Sequence, residues 1–344
     1  MQRGQGCDRR IKETYYFKVK LRREAVACLN SIISWIGGKK ALRQLIYERM
    51  PAEYGRYIEV FGGGGWVLFG KQPETGDRME VYNDFNSNLV NLFFCVKHRT
   101  MALLKELSFL PLNSREDFFA LRSFLAQEAP AESYLGKELE IAEQSFELPE
   151  RTEIVQLLAE RGKIDDVKRA AAFYKIIRLS YGSGCTSYCC HPFDIRRTFR
   201  LLWEASIRLK DTVIENKDFE ALIRQYDREN AFFYCDPPYF QTEDHYEVLF
   251  AKEDHERLRN TLSNIQGKFL LSYNDCDYIR QLYEGYQIEP VARLSNLAQR
   301  YEGGCEYPEV LIANYDMEER RKKVPKQLSL FEWDKEEGEG NGEA

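Results

Sequence analysis

One apolar run that stops at two prolines constrains this chain more than any other stretch. Residues 231–235 predict a buried strand, and Asp236, Pro237, Pro238 and Tyr239 follow directly. Pro237 forces Asp236 into an extended conformation and each proline fixes its own φ, so the carboxylate and the Tyr239 ring are held on a stiff turn. Neither proline has a backbone N–H. The turn therefore favours a ligand that presents an amino group, as a nucleobase does, although an isolated Asp-Pro pair more often caps a helix.

A glycine-rich turn follows an earlier short strand. Residues 57–61 predict the strand, Gly62, Gly63, Gly64 and Gly65 follow, and a helix is predicted to start at Trp66. This order is typical of the nucleotide-binding turn of Rossmann-like sheets. The dinucleotide pattern G-x-G-x-x-G is not met, because Val67 stands at its last glycine position. This departure from the pattern argues against a nicotinamide-dependent oxidoreductase, which is the alternative function from another enzyme class.

Two further motifs suit a ligand near this turn. Asp84 ends the predicted strand 79–83, about 20 residues past the glycines, where such folds place an acid on ribose hydroxyls. The run Asn83-Asp84-Phe85-Asn86 also predicts a helix cap, and both roles are compatible. Upstream, in the stretch 34–40, a glycine pair next to Lys39 lets the backbone approach a ligand closely beside a positive charge.

The apolar segments predict a doubly wound α/β sheet of seven strands with an antiparallel finish. Besides the three strands above, we expect strands at 212–215, 269–273, 286–291 and 310–315. Helices are predicted at 41–50, from Asn86 onward, at 222–226, 253–265 and 277–283. The last two strands are expected to pair with each other across the loop 293–308.

The alternation lapses into helical patterns between residues 100 and 210, which predicts an inserted module. Its part 127–160 holds nine acids against two bases and contributes −7 to a net charge of −6, so the remainder is slightly basic. A polar glycine loop at 181–188, with arginines at its margins, suits contact with a nucleic-acid strand, and a plain helix connector is the alternative. The candidate DNA-binding residues are Arg178, Tyr181, Ser183, Thr186, Ser187, Arg196 and Arg197.

The composition predicts a soluble cytoplasmic protein. No apolar run approaches membrane-spanning length, the charged start lacks a signal-peptide core, and nine cysteines suit a reducing compartment. Cys185, Cys189, Cys190 and His191 form the one cluster, but a second Cys-x-x-Cys half is missing from the sequence, so no metal site is predicted. We expect a monomer.

Past Tyr315 the sequence becomes charged and predicts a disordered tail. One apolar island interrupts the tail, formed by Gln327, Leu328, Ser329, Leu330 and Phe331. Three apolar side chains without a core to bury them predict a docking segment for a partner.

Five of these motifs together resemble the signature set of the Dam-type (D12 class) DNA adenine-N6 methyltransferases. They are Trp35-Ile36-Gly37-Gly38-Lys39, Glu59-Val60-Phe61-Gly62-Gly63-Gly64, Asn83-Asp84-Phe85-Asn86, Asp236-Pro237-Pro238-Tyr239 and Glu309-Val310-Leu311-Ile312-Ala313-Asn314-Tyr315, in this order. The match spans residues 34–315. The resemblance implies S-adenosylmethionine as cofactor, double-stranded DNA as substrate and a class I (Rossmann-like) methyltransferase sheet.

The resemblance also assigns roles to residues and divides the chain. The residues that it implies for cofactor binding are Trp35, Gly37, Gly38, Lys39, Glu59, Phe61, Gly62, Gly63, Gly64, Asp84, Asp218 and Asp236, and the catalytic turn is Asp236, Pro237, Pro238 and Tyr239. We expect a basic extension at 1–30, a catalytic domain at 31–99 and 211–316, an inserted target-recognition domain at 100–210 and the tail at 317–344. The peptide Gln327, Leu328, Leu330 and Phe331 is similar to segments that bind the bacterial sliding clamp.

Three departures from the family pattern leave the target sequence open. Val60 stands where relatives commonly have proline, a charged extension precedes Trp35, and the loop 181–188 differs from the Dam form. Methylation of RNA adenine at N6 or of cytosine at N4 uses a similar turn and remains an alternative. A methyltransferase-like DNA-binding module without activity is another.

Overall fold

Seven short strands form one sheet in the part of the chain that the computed structural model describes, which is residues 29–35, 37–73, 78–108, 114–126, 135–164, 166–180, 185–189, 194–240, 250–294 and 306–320. The strands are β1 (Arg56–Glu59), β2 (Met79–Asn83), β3 (Thr212–Glu215), β4 (Ala231–Cys235), β5 (Lys268–Asn274), β6 (Gln287–Leu294) and β7 (Glu306–Ala313). Their order is β3-β2-β1-β4-β5-β7-β6. Strand β7 alone runs antiparallel to its neighbours β5 and β6.

Twelve α-helices accompany the sheet within the described ranges. They are α1 (Arg43–Arg49), α2 (Trp66–Gly70), α3 (Ser87–His98), α4 (Thr100–Ser108), α5 (Arg115–Leu125), α6 (Leu135–Ser145), α7 (Glu150–Ile164), α8 (Val167–Leu179), α9 (Phe199–Arg208), α10 (Phe219–Tyr226), α11 (Lys252–Leu262) and α12 (Asp277–Leu282). A 3₁₀ turn at Ile195–Thr198 precedes α9. None of these helices is both long enough and apolar enough to span a bilayer.

The sheet is buried on both faces because apolar residues occupy successive strand positions. Phe232 and Tyr234 of β4 pack in one core with α1 to α5, α8 and α9, whereas Phe233 and Cys235 pack in a second core with α10, α11 and α12. A strand with alternate side chains on opposite faces must be apolar throughout when both faces are covered. The continuous apolar run at 231–235 is therefore the signature of the central strand.

The predicted seven strands and their antiparallel finish are confirmed. The ends differ where side chains or turns take over from the ladder. Strand β7 stops at Ala313 because the Asn314 amide oxygen accepts the Phe269 N–H at 2.9 Å in place of a backbone carbonyl. Pro290 is tolerated in β6 because β6 is an edge strand.

The helices of the predicted insertion share their core with the sheet. Helices α4, α5, α8 and α9 supply buried residues to the same cluster as the β2 and β4 side chains. Arg208 of α9 also donates to both carboxylate oxygens of Glu80 in β2, at 2.6 and 2.9 Å, with both side chains buried. Helices α6 and α7 pack mainly on each other. A target-recognition domain at 100–210 stays a prediction.

Candidate active site

The carboxyl ends of β1, β2 and β4 open onto one cavity of about 320 Å³. All twelve residues predicted for cofactor binding lie on its wall: Trp35, Gly37, Gly38, Lys39, Glu59, Phe61, Gly62, Gly63, Gly64, Asp84, Asp218 and Asp236. Of the predicted catalytic turn, Asp236 and Pro238 line the cavity, Pro237 is buried and Tyr239 is half-buried. Asp236 therefore faces the same space as Phe61 and Asp84.

The glycine turn after β1 needs glycine for two different reasons. Gly63 has a φ of +49°, which side chains with a Cβ adopt at a cost. A Cβ on Gly62 would lie 2.2 Å from the Tyr82 ring, so only hydrogen fits there. The Gly63 N–H donates to Asp84 Oδ2 at 2.8 Å. The turn is thus locked to the end of β2.

Asp84 organises both the glycine turn and the start of α3. Its second oxygen, Oδ1, accepts the Asn86 N–H at 2.8 Å, and Asn86 in turn is the residue that caps α3, accepting the N–H groups of Asn88 and Leu89 at 3.1 Å. Burial raises the pKa of Asp84, against the lowering effect of these backbone donors. The prediction that this run caps a helix is confirmed, with Asn86 as the cap itself.

Lys39 holds the Asp236 carboxylate at the end of β4. Its ammonium lies 2.7 Å from Asp236 Oδ1, donates to the Gly37 carbonyl at 3.0 Å and sits 4.7 Å from the centre of the Tyr239 ring. The Lys39 side chain is 3% exposed and that of Asp236 is 18% exposed. A cation with N–H donors thus already occupies the acceptor corner that the sequence predicted.

The Tyr239 ring is fixed at its far end. Its hydroxyl donates to Glu309 Oε2 of β7 at 2.8 Å and lies 3.2 Å from the Ser272 hydroxyl of β5. Glu309 and Ser272 are both buried. The phenol therefore bridges two strands on the far side of Asp236.

Glu59 is a buried acid that keeps its proton at neutral pH. Burial raises its pKa to about 8, with the charges of Glu80 and Asp236 adding to the effect, while the Tyr57 hydroxyl and Lys71 act in the opposite direction. Tyr57 donates to Glu59 Oε2 at 2.7 Å. A neutral carboxyl group beside an open cavity can ionise when a cationic ligand arrives.

The other side of the cavity is aromatic. The rings of Phe61, Phe219 and Phe250 lie with their centres 5.6 to 5.8 Å apart. Arg257 covers the Phe219 ring at 4.0 Å and donates to both oxygens of Asp218, at 2.8 and 2.9 Å. Asp218 also caps α10 through the Glu220 N–H. Such a wall suits a planar ring with polar edges.

The cavity suits a ligand that carries positive charge. Among the described residues its wall holds five acids and three bases, the acids being Glu59, Asp84, Asp218, Asp236 and Asp254 and the bases Lys39, Lys217 and Arg257. Tyr234 lines the cavity too, and its buried hydroxyl has no hydrogen-bond partner among the residues that the structure describes. The excess of acids favours a cationic ligand and opposes a pyrophosphate.

The described residues that are predicted for DNA binding differ in their exposure. Arg178 is half-buried and donates to the Ile32 carbonyl and the Tyr174 hydroxyl, so its guanidinium holds α8 against the segment before Trp35. Arg196 and Arg197 are exposed, and Arg196 pairs with Asp194 at 2.9 Å. Thr186 and Ser187 are exposed as well. Their contact with DNA stays a prediction.

Several predictions fall outside the described residues. They concern Tyr181, Ser183, the cysteine cluster at Cys190 and His191, the extension up to residue 28, and the tail segment with Gln327, Leu328, Leu330 and Phe331. Within the described ranges, no group of three or more His, Cys, Asp or Glu side chains is placed to hold a metal ion.

Sequence reasoning missed four residues near the cavity, namely Tyr234, Ser272, Glu309 and Arg257. Glu309 begins the motif that ends in Asn314 and Tyr315, and the motif alone gave no role to any of its members. Because β7 is antiparallel, its amino end rather than its carboxyl end lies at the cavity edge. The antiparallel finish predicted from the sequence was the signal that could have placed Glu309 there.

The sequence of this chain is similar to those of known proteins. The family of D12 class N6 adenine-specific DNA methyltransferases matches residues 35–297. The chain is 24% identical over 267 residues to the Type II methyltransferase M.CviBI of Paramecium bursaria Chlorella virus NC1A, which covers 75% of this chain and 88% of that protein.

Two further relatives are covered over almost their whole length. The Type II methyltransferase M1.LlaDCHI of Lactococcus lactis subsp. cremoris is 22% identical over 308 residues, covering 83% of this chain and 96% of that protein. The Type II methyltransferase M.MjaIII of Methanocaldococcus jannaschii is 26% identical over 314 residues, covering 82% and 98%. The matched range 35–297 spans the glycine turn, Asp84 and the Asp-Pro-Pro-Tyr turn of this chain.

Proposed function

This chain belongs to the D12 class of N6 adenine-specific DNA methyltransferases, and on that premise we propose that Asp236, Pro237 and Tyr239 form the corner that receives the adenine amino group. The protein is a site-specific DNA methyltransferase. Family membership favours DNA adenine over RNA adenine and over cytosine N4 as the substrate, and it opposes an oxidoreductase.

S-adenosylmethionine is the cofactor that the family implies, and it supplies a methyl group on a positively charged sulfur. The acidic wall and the aromatic side of the cavity support its binding here. We assign the end of the cavity near Glu59 and Lys39 to the amino-acid part of the cofactor. The rings of Phe61 and Phe219 would contact its adenine. Asp84 would accept hydrogen bonds from the ribose hydroxyls of the cofactor. Asp218 would accept one from the amino group of its adenine.

The observation that carries the proposal is the Lys39 ammonium. This group is an N–H donor that now lies between Asp236 Oδ1 and the face of the Tyr239 ring, at 2.7 and 4.7 Å. An adenine base stacked on Tyr239 would bring its N6 amine to the same acceptor. Lys39 must then move aside, so that the amine replaces the ammonium at Asp236.

Adenine inside a duplex cannot reach this cavity, so the base must rotate out of the stack. Rotation costs a few kcal/mol, which stacking on Tyr239 helps to offset. Asp236 and the Pro237 carbonyl would each accept one N6 hydrogen, which turns the nitrogen lone pair toward the methyl group. When bound, S-adenosylmethionine would supply the methyl group and keep the electron pair of the broken C–S bond on its sulfur, and the methylated N6 would then lose one proton to water. The role of Asp236 is electrostatic and positional.

Replacing Asp236 tests the assignment. The Asp236→Ala variant should keep its affinity for S-adenosylmethionine within about threefold, because the other cavity residues remain, and lose at least about a hundredfold in methyl transfer. Calorimetry measures the first quantity, and transfer of a labelled methyl group to a DNA duplex measures the second.

Glu229→Ala provides the matched control, because Glu229 is an exposed acid beside the amino end of the same strand. It should leave both quantities unchanged. Retention of more than about a tenth of wild-type turnover by Asp236→Ala would refute the role of its carboxylate.

The target sequence is read outside this cavity. We propose that residues 100–210, with the exposed Arg196, Arg197, Thr186 and Ser187, contact the duplex. Expression in a bacterium that lacks DNA methylation, followed by single-molecule sequencing, identifies the modified base and its context together. Modified adenine in one short motif is the expected result.

A further inference from the structure

A buried carboxylate on the antiparallel strand holds the ring that we assign to the target base. Glu309 is 3% exposed, and its Oε2 accepts the Tyr239 hydroxyl at 2.8 Å. We propose that Glu309 is a positioning residue that fixes the Tyr239 ring before the target base arrives. The inference rests on the proposed function, since it concerns how the same corner receives the base.

The anchor is built into the sheet rather than into a loop. Glu309 is paired with Asn274 in the β5–β7 ladder, and Ser272, two residues earlier on the same face of β5, is 0% exposed and adds a hydroxyl 3.2 Å from that of Tyr239. The two prolines fix the backbone at one end of Tyr239 and the two strands fix the hydroxyl at the other. A tyrosine held at both ends cannot swing away from the cavity.

Fixing the ring matters because an extruded base must find its stacking partner in place. A free ring would lose rotamer entropy when the base stacks, and that loss would weaken base capture. An anchored ring has already lost it. Glu309 therefore acts on base capture and transfer, and not on the affinity for the cofactor, because Glu309 is not among the cavity residues that we assign to the cofactor.

Tyr239→Phe tests the anchor with the least disturbance, because it removes the hydroxyl and keeps the ring. We expect it to lower the turnover of a DNA duplex about tenfold, the equivalent of one buried hydrogen bond. It should also reduce the fluorescence of 2-aminopurine at the target position, which reports extruded base, while the cofactor dissociation constant stays unchanged.

Variants of Glu309 complete a double-mutant cycle. Glu309→Ala should match Tyr239→Phe, and the double variant should be little worse than either, because both remove the same bond. Glu309→Gln keeps an acceptor oxygen and should recover most of the activity. Tyr315→Phe is the matched control, since it removes another phenol bond, the one to the Arg49 carbonyl at 2.8 Å, far from the cavity in the fold. It should change the melting temperature alone.

Three outcomes would overturn the inference: wild-type turnover and fluorescence in Tyr239→Phe, additive losses in the double variant, or loss of cofactor affinity equal to the loss of turnover. If Glu309→Ala does not fold, Tyr239→Phe and Glu309→Gln still decide the matter. Failure of the proposed function is distinct, because Asp236→Ala would then retain transfer. If Asp236→Ala is inactive and Tyr239→Phe is fully active, the positioning role of Glu309 is refuted and the proposed function is kept.

Discussion

At the scale of single residues, the Glu59 proton responds to whatever enters the cavity. With a pKa raised by burial to about 8, Glu59 is mostly neutral at pH 7. A positively charged ligand nearby favours the carboxylate and lowers that pKa. We therefore expect cofactor binding at pH 7 to release a proton.

Calorimetric titration in two buffers measures the release. The binding enthalpy at pH 7 should differ between phosphate and Tris, whose ionisation enthalpies differ, and the difference should vanish in Glu59→Gln. Equal enthalpies in both buffers for the wild-type protein would mean that Glu59 does not meet the cationic end of the cofactor.

The same residue makes the stability of the unliganded protein depend on pH. The folded pKa of about 8 lies above the value of about 4.3 in an unfolded chain, so the folded state binds the extra proton between them. The contribution is therefore complete below pH 4 and is lost as pH rises toward 8. A buried acid that weakens the fold at neutral pH is typical of a functional site.

At the scale of elements, one guanidinium joins α10 to α11 at the edge of the cavity. Arg257 of α11 grips Asp218 with both of its terminal nitrogens, pairs with Asp254 at 2.9 Å and covers the Phe219 ring. Asp218 also keeps its pKa low through this contact, despite its partial burial. The two helices therefore present the aromatic side of the site as one unit.

Arg257→Lys should weaken cofactor binding about tenfold, because a lysine cannot form the two-pronged contact or cover the ring in the same way. Fluorescence or calorimetric titration measures the affinity. The control is Arg200→Lys, since Arg200 is 89% exposed and pairs with Glu204 within α9. Equal affinities in the two variants would contradict the role of Arg257.

Patterns along single elements were readable from the sequence, and contacts between elements were not. The run at 231–235, the glycine turn and the cap at Asn86 depend on local chemistry, and the sequence predicts each of them. The bond from Tyr239 to Glu309 joins residues 70 positions apart, and it depends on strand direction. Arg178 is predicted to contact DNA because it borders a loop in the sequence, and the sequence does not show that its guanidinium also holds α8 against the segment before Trp35.

At the scale of the whole molecule, the chain combines a catalytic sheet with helices that share its core. Arg208 and Glu80 join α9 to β2, so part of the helical segment is fixed to the sheet that carries the cavity. The extension at 1–30 and the tail at 317–344 stay predictions from the sequence.

The tail carries a prediction of its own. A peptide of residues 326–333 should bind the bacterial sliding clamp, because Leu328, Leu330 and Phe331 offer apolar side chains in a polar segment. The doubly substituted peptide Leu330→Ala, Phe331→Ala should not bind, whereas Ser329→Ala should bind as the parent does. Fluorescence anisotropy compares the three peptides, and equal binding by all of them would end the hypothesis.

The antiparallel β7 has one more consequence. A slip of one residue between β7 and β5 would turn Glu309 to the opposite face of the sheet, because side chains alternate along a strand. With β7 out of register, the Tyr239 hydroxyl would lose its hydrogen-bond acceptor. The Glu309 carboxylate would also be buried among apolar side chains on the opposite face of the sheet. The correct register of β7, the last of the described strands, is therefore a condition for the hydrogen bond between Tyr239 and Glu309.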